Sequence, residues 1–301
     1  MEGNMPTTLL EYFKDYLPVF AKNTKGAVEI TGENVFQKGN PELKKLIDSV
    51  IEKVMLPSSE FRHKENLEKF FDAVNAGKKG IILAEHYSNF DYPMLIYLMS
   101  KTGEKGAALA ERCVGVAGLK LGEDNKYIAS FTEGYDRLFI YPSRYIKAIE
   151  NPDVREIEIK RSKQINIASM RVLEKLKKEG RVVVVYPAGT RYRPGQPETK
   201  RGVKEIDSYI KMSDIMLLVS VNGNCLTISE TGNMGDDLVC EDRMILDASA
   251  VIDCTEFRES IKADNIGLEG LEKKQAVVDR VMEILEEMHE ENEKDRLNPG
   301  R

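Results

Sequence analysis

The chain has 301 residues, 42% of them hydrophobic and 31% charged, with 44 Lys and Arg against 50 Asp and Glu for a formal net charge of −6. That length and apolar content are enough to bury a full core and exclude a wholly disordered chain. The acidic balance argues against a broad nucleic-acid grip and against a generally cationic, membrane-hugging surface, while a few converging arginines still suffice for a small anionic substrate.

Residues up to about Gly77 read as helical. Thr7 or Thr8 is placed to cap a segment carrying Leu9, Leu10, Phe13, Tyr16 and Leu17 at helical spacing, ended near Pro18. Asn40-Pro41 opens a second, with Leu43, Leu46, Ile47, Val50, Ile51 and Val54 at three- and four-residue steps. A third, around Lys64 to Val74, carries Leu67, Phe70, Phe71 and Val74, and Asn75-Ala76-Gly77 ends it.

At Gly80 the pattern changes. Ile81-Ile82-Leu83-Ala84 is a short unbroken apolar run, as expected of a strand buried on both faces, and Val182 to Tyr186 and Ile215 to Val221 repeat that character. Gln164 to Glu179 reads as a helix with Ile165, Ile167, Ala168, Val172, Leu173 and Leu176 inward. A last, long helix starts near Leu268, with Val277, Val281, Ile284, Leu285 and Met288 as its apolar stripe; the acidic run EEMHEENEKD reads as a solvated face or frayed tail. The expected fold is α/β, with a mixed, mostly parallel central sheet flanked by helices. An N-terminal helical domain over residues 1–77 would precede an α/β domain over residues 78–301.

Cys113, Cys225, Cys240 and Cys254 show no paired short spacing, which fits neither a dense disulfide framework nor a zinc site. They read as free thiols in a reducing cytoplasm. No apolar run approaches the ~20 residues a spanning helix needs, and the first residues lack a basic stretch leading into an apolar one. A cytoplasmic protein is expected, with peripheral membrane contact left open.

The three histidines differ in setting. His63, in FRHKEN, reads as a solvated helix position, and His289, inside the acidic run, reads the same way. His86 follows the apolar run IILAE, which places it at a strand's carboxyl end, where open α/β sheets bind their ligands. Asp91 lies five residues on, in His86-Tyr-Ser-Asn-Phe-Asp91, so a turn could return its carboxylate to the imidazole and fix the tautomer. That is the base and orienter of general-base catalysis without a protein nucleophile. Taken alone, the pair is better explained as a turn histidine bonded to backbone and an aspartate capping the next helix.

A second segment changes that balance. Val182-Val-Val-Val-Tyr186-Pro187-Ala188-Gly189-Thr190-Arg191-Tyr192-Arg193-Pro194 is another buried strand ending in a tight turn. Gly189 permits close approach of backbone to a ligand, and Arg191 and Arg193 leave the turn two residues apart, suited to bidentate contact with phosphate oxygens; taken alone, they read as readily as exposed arginines paired with local carboxylates. G-x-S-x-G, G-x-x-x-x-G-K-[ST] and G-x-G-x-x-G are all absent, which removes the commonest hydrolase, P-loop and dinucleotide signatures.

His86 to Asp91 and Tyr186-Pro-Ala-Gly-Thr-Arg191 together resemble the two signatures of the glycerolipid acyltransferase superfamily: a histidine, four variable residues and an aspartate, then a block close to F-P-E-G-T-R. The order agrees, and each block follows an expected strand. Within that superfamily the chain looks most like the soluble, plastid-type glycerol-3-phosphate acyltransferases, over roughly residues 80 to 230. Cys113-Val-Gly-Val-Ala-Gly118-Leu-Lys-Leu121 is similar to a Val-Ala-Gly block, and Asp136 to Arg144 resembles the strand leading to a basic phosphate-contacting position. The Arg-x-Arg-Pro at 191 to 194 and the preceding helical segment fit the same branch.

The resemblance implies that residues 78–301 form an acyltransferase catalytic domain, with His86 as general base and Asp91 as its orienter. Arg144, Gly189, Thr190, Arg191 and Arg193 would bind the acceptor, glycerol 3-phosphate, and acyl-CoA or acyl carrier protein would donate the acyl group to its sn-1 hydroxyl. No metal or cofactor is implied, and no nucleic-acid partner. Two departures stand out: Ala188 replaces the glutamate of F-P-E-G-T-R, and Leu218-Val-Ser-Val221 lacks a proline that many relatives carry. Lys200-Arg-Gly-Val203 resembles the Lys-x-Gly element of lysophosphatidate acyltransferases, so lysophosphatidate is the alternative acceptor. A rival of another class is a non-catalytic protein that binds phospholipid or a phosphorylated ligand through the arginines.

Overall fold

The computed structural model describes residues 7–24, 28–119, 132–231 and 233–297. Its N-terminal elements are β1 (Thr7–Thr8), α1 (Leu9–Tyr12), α2 (Leu17–Asn23), β2 (Phe36–Gln37), α3 (Pro41–Val54), β3 (Glu60–Arg62) and α4 (Lys64–Asn75). Thr8 caps α1, its hydroxyl accepting from the Glu11 amide, so the expected start is found. Pro18 does not end that helix but opens α2, because a ring nitrogen without N–H costs nothing in a first turn. Asn40 caps α3 through the Glu42 amide with Pro41 in the first turn, as its sequence implies.

The central elements are β4 (Gly80–Ala84), α5 (Asp91–Ser100), α6 (Glu104–Arg112), β5 (Cys113–Gly118), β6 (Arg137–Ile140), α7 (Ser143–Lys147), α8 (Pro152–Lys178) and β7 (Val182–Val185). The remainder comprises α9 (Ile206–Lys211), β8 (Ile215–Asn222), β9 (Leu226–Thr227), β10 (Leu238–Val239), β11 (Ile245–Ala248), β12 (Ile252–Asp253), α10 (Cys254–Asp264) and α11 (Gly270–Leu297). The Val-Ala-Gly block is β5 and the residue leading from it; its last two positions, 120 and 121, lie outside the described residues.

Nine strands make the main sheet, in the order β2-β6-β5-β7-β4-β8-β11-β3, with β12 pairing β8 beside β11. Strands β6, β5, β7, β4 and β8 run parallel to one another, β2 pairs antiparallel with β6, β11 and β12 pair antiparallel with β8, and β3 runs parallel to β11. A small antiparallel sheet joins β1, β10 and β9. The fold is thus the mixed, mostly parallel α/β arrangement expected.

Every residue of β4, β7 and β8 is buried, which is why β4, β7 and the first five residues of β8 are apolar without alternation; Ser220 and Asn222 follow in β8 as buried polar residues. The pleat divides their side chains between two cores. Ile82, Ala84, Val184, Leu217 and Val219 face α3, α4, α5 and α6, whereas Ile81, Leu83, Val183, Val185, Met216 and Leu218 face α8, α9 and α11. The segment before residue 78 is built into this frame: β2 and β3 join the main sheet, and Leu43, Ile47, Leu67 and Phe70 share a core with Ile82. On α8, Ile165, Leu173 and Leu176 point inward as expected, but Ile167 is 55% exposed, since it falls on the opposite helical face from Ile165.

The acidic C-terminal run is helical to Leu297 and packs on β8; Val277, Val278, Val281 and Leu285 anchor it in the core. Gly202 lets it approach: a Cβ there would sit 2.4 Å from Val278 Cγ1 and 2.9 Å from Met282 Cγ. No helix among the described residues is long and apolar enough to cross a membrane.

Candidate active site

Parallel neighbours deliver their following loops to one edge of a sheet. Ile81, Ile82 and Leu83 of β4 pair with Val183, Val184 and Val185 of β7, so His86 and the Tyr186–Arg193 turn emerge side by side. Strand β6 runs parallel on the far side of β5 and leads to Arg144 at the same edge.

The turn after β4 is built around one carboxylate. Asp91 is 2% exposed, and its Oδ2 accepts from His86 Nδ1 at 2.9 Å, the Tyr87 amide at 2.5 Å and the Ser88 amide at 2.8 Å. The Ser88 hydroxyl donates to Oδ1 at 2.9 Å. Asp91 is the first residue of α5, where the helix dipole favours a negative charge. Its carboxylate faces back to residues 86–88 and not forward as an ordinary cap, so the bland explanation of the pair does not describe this geometry. With Nδ1–H donated to Asp91, Nε2 is the basic nitrogen, and it makes no hydrogen bond among the described residues.

The His86 ring stacks on Tyr186, with centroids 4.1 Å apart and planes 17° from parallel. The Tyr192 amide donates to the His86 carbonyl at 2.8 Å, tying the two motif turns together. Tyr186 stands where the F-P-E-G-T-R form has phenylalanine, and its buried hydroxyl has no hydrogen-bond partner among the described residues. Burial pushes that phenol well above its ordinary value. Tyr186→Phe is therefore expected to raise the unfolding free energy by about 1 kcal/mol, because an unsatisfied buried polar group is removed. Equilibrium urea denaturation checks this, and a loss of stability would show that the hydroxyl is satisfied in solution.

The second turn closes with the Gly189 amide on the Tyr186 carbonyl at 2.8 Å, and Gly189 has a φ of +63°. A Cβ at Gly189 would lie 3.7 Å from Arg144 Nη1, so the Arg144 guanidinium rests against the motif turn. Arg144 is exposed and forms no ion pair among the described residues; its guanidinium carbon lies 5.3 Å from the Tyr145 ring centroid. Arg193 is also exposed, at the head of a turn with Pro194 and Gly195 in which the Gln196 amide donates to the Arg193 carbonyl. Thr190 is half-buried between them.

Arg191 is placed differently. Its side chain is 10% exposed and paired through Nη1 with Asp237, itself 1% exposed, so it ties the motif turn to the segment before β10. Lys200 sits over the rings of Tyr87 and Tyr192, at 5.9 and 5.7 Å from their centroids, and pairs with Glu286 of α11.

His63 is exposed as expected and His289 is not, and each meets a carboxylate. His63 stands at the start of α4 with a φ of 49°, its Nδ1 2.5 Å from Asp247 Oδ1. That hydrogen bond raises its pKa above the ordinary 6.5, against a smaller opposing effect of burial. A base with a raised folded-state pKa stabilises the fold below its unfolded value, and the contribution is lost as pH rises through the folded value. The urea midpoint is expected to fall as pH rises above about 6.5, with a shallower fall in His63→Gln; equal slopes would show the pair to be energetically silent. His289 lies against the turn after β4, its Nδ1 2.9 Å from Glu85 Oε2 and 3.2 Å from the Tyr87 hydroxyl. Its helix packs too closely on β8 for the acidic run to be a frayed tail.

No thiol is placed to act as a nucleophile. All four cysteines are free, and burial pushes Cys113 and Cys254 up to about 12 and raises Cys225 and Cys240 as well.

The mostly parallel sheet presents a carboxylate-oriented imidazole at a strand's carboxyl end, an arrangement chemically able to take a proton from a hydroxyl. The chain belongs to the acyltransferase family, whose model, described as Acyltransferase, matches residues 58–212 and so spans both motif turns. Among solved structures, the 1-acyl-sn-glycerophosphate (LPA) acyltransferase PlsC from Thermotoga maritima is similar at 16% identity, covering 82% of this chain and 78% of that one with a TM-score of 0.44. A search of curated proteins finds no match.

Proposed function

We propose that this acyltransferase moves a fatty acyl group from an acyl thioester to the sn-1 hydroxyl of glycerol 3-phosphate. The observation that carries the reading is the His86 imidazole, with Nδ1 committed to buried Asp91 and Nε2 left to accept a proton. Nε2 removes the proton from the acceptor hydroxyl as that oxygen attacks the thioester carbonyl carbon. The tetrahedral intermediate then expels the thiolate of coenzyme A or acyl carrier protein, which takes the proton back from the imidazolium. The imidazolium forms against the Asp91 carboxylate, which stabilises it electrostatically.

Arg144 and Arg193, exposed and unpaired among the described residues, are assigned to the acceptor phosphate. Gly189 and Thr190 supply the backbone of the turn on which it rests, and Arg191 holds that turn through Asp237 while keeping further N–H donors for the phosphate. Fixing the phosphate places the hydroxyl at Nε2, which converts binding into orientation.

The test supplies purified protein with an acyl thioester and each acceptor separately and follows thiol release. Release with glycerol 3-phosphate is expected. Release with lysophosphatidate alone would move the assignment to the next acylation, the reading that the Lys200-x-Gly202 element favours. Binding of either acceptor without thiol release, abolished by Arg144→Ala, would identify a ligand-binding protein.

A further inference from the structure

Strand alternation continues past the end of β4. His86 turns onto Tyr186, while Glu85 and Tyr87 on either side of it turn to α11. Glu85 is 4% exposed, and a carboxylate buried to that degree persists only where donors surround it. Its Oε1 accepts from the Tyr87 hydroxyl at 2.8 Å; its Oε2 accepts from the Val221 amide at 3.0 Å and from His289 Nδ1 at 2.9 Å. Tyr87 then links the two carboxylates of the turn, with its phenol on Glu85 and its amide on Asp91 Oδ2.

His289 is held independently of this cluster. Its backbone carbonyl accepts from Asn222 Nδ2 at 2.9 Å at the end of β8, and Asn292, one turn on, donates to Asp247 Oδ2 at 2.9 Å from a buried position. The charged groups facing it are Glu85 and Tyr87 from the turn, Lys200 from the segment after β7, and Glu286 and Glu293 from its own helix. Lys200 opposes its protonation and is itself paired with Glu286, while Glu293 is paired with Arg296. Burial lowers the His289 pKa, but Glu85 more than offsets this, and the imidazole titrates above its ordinary value. His289 also lies outside the stretch, residues 58–212, that carries the family match.

We propose that His289 is a positioning residue for the catalytic pair: from α11 it grips the buried Glu85 carboxylate and so fixes the turn in which Asp91 receives the His86 Nδ1–H. The inference rests on the general-base reading of His86. It has an electrostatic signature that packing alone lacks. Without His289, the Glu85 charge stands unbalanced one residue from His86 and favours the imidazolium, so His86 titrates at higher pH.

The test follows the imidazole nitrogens of the full chain, which has three histidines, by NMR across pH, together with the thiol-release rate. In His289→Leu the His86 midpoint is expected to rise, with kcat down about tenfold and the acceptor KM within about twofold. His289→Asn, which keeps a side-chain N–H donor for Glu85, is expected to restore most of kcat. The double variant Glu85→Gln with His289→Leu should return the midpoint toward that of the parent. An unmoved His86 midpoint in His289→Leu, or equal losses in His289→Leu and His289→Asn without a shift, overturns the proposal. Should His289→Leu fail to fold, Glu85→Gln carries the test with the opposite shift, and a midpoint equal to the parent's overturns the proposal. A parent without acyl transfer would refute the enzymatic reading, while the titration arm would still decide the role of His289.

Discussion

His86→Ala is expected to slow thiol release by about two to four orders of magnitude, the usual worth of a positioned general base. The acceptor KM should change far less, because the phosphate is assigned to Arg144 and Arg193, on other strands' loops. Asp91→Asn should fall nearly as far. An amide in place of the carboxylate loses the charge that Nδ1–H donates to, and residues that act as one unit give strongly non-additive losses. Steady-state kinetics on the purified variants measure both, and an unchanged rate in His86→Ala would end the general-base reading.

The second large effect concerns stability. Asp237→Ala leaves the Arg191 guanidinium, 10% exposed, without its buried partner and also removes the acceptor of the Ser229 amide at 2.9 Å. Breaking such a pair from one side costs about 3–5 kcal/mol. Chemical denaturation should show the loss directly, whereas the double replacement Arg191→Met with Asp237→Leu should recover part of it, since no charge is then left unpaired. A loss below about 1 kcal/mol in Asp237→Ala would mean that the pair does not hold the motif turn.

The central strands and the His86–Asp91 pair could be read from sequence for one shared reason. Strands buried on both faces carry unbroken apolar runs, so Gly80–Ala84, Val182–Val185 and Ile215–Asn222 stand out, and the residues that follow them are marked as loop residues at a sheet edge. The two-residue strands β1, β2, β9, β10 and β12 carry no periodicity, because two positions cannot show one. The ion pair of Arg191, assigned from sequence to the acceptor, could not be read either: its partner Asp237 lies 46 positions away, and nothing in an arginine's own neighbourhood says whether it meets a carboxylate or solvent.

His289 shows the same limit more sharply. Its partner Glu85 is 204 positions distant, and its neighbours are acidic enough that solvation was the sound expectation. One local signal was available: Glu85 ends an otherwise apolar strand, and a charge in that position needs a partner from somewhere. Similarly, Pro18 reads as a stop because proline breaks helix interiors, yet the same missing N–H suits it to a first turn.

The stacking of His86 on Tyr186 has an optical and magnetic consequence separate from chemistry. A ring 4.1 Å away and only 17° from parallel places the imidazole carbon-bound protons within the shielding region of the phenol's circulating π-electrons. Their resonances are displaced upfield of those of a free imidazole, and any acceptor that slides between or tilts the two rings relaxes that displacement. The chain thereby carries, on the imidazole proposed as the base, its own reporter of site occupancy, readable without a label or a turnover.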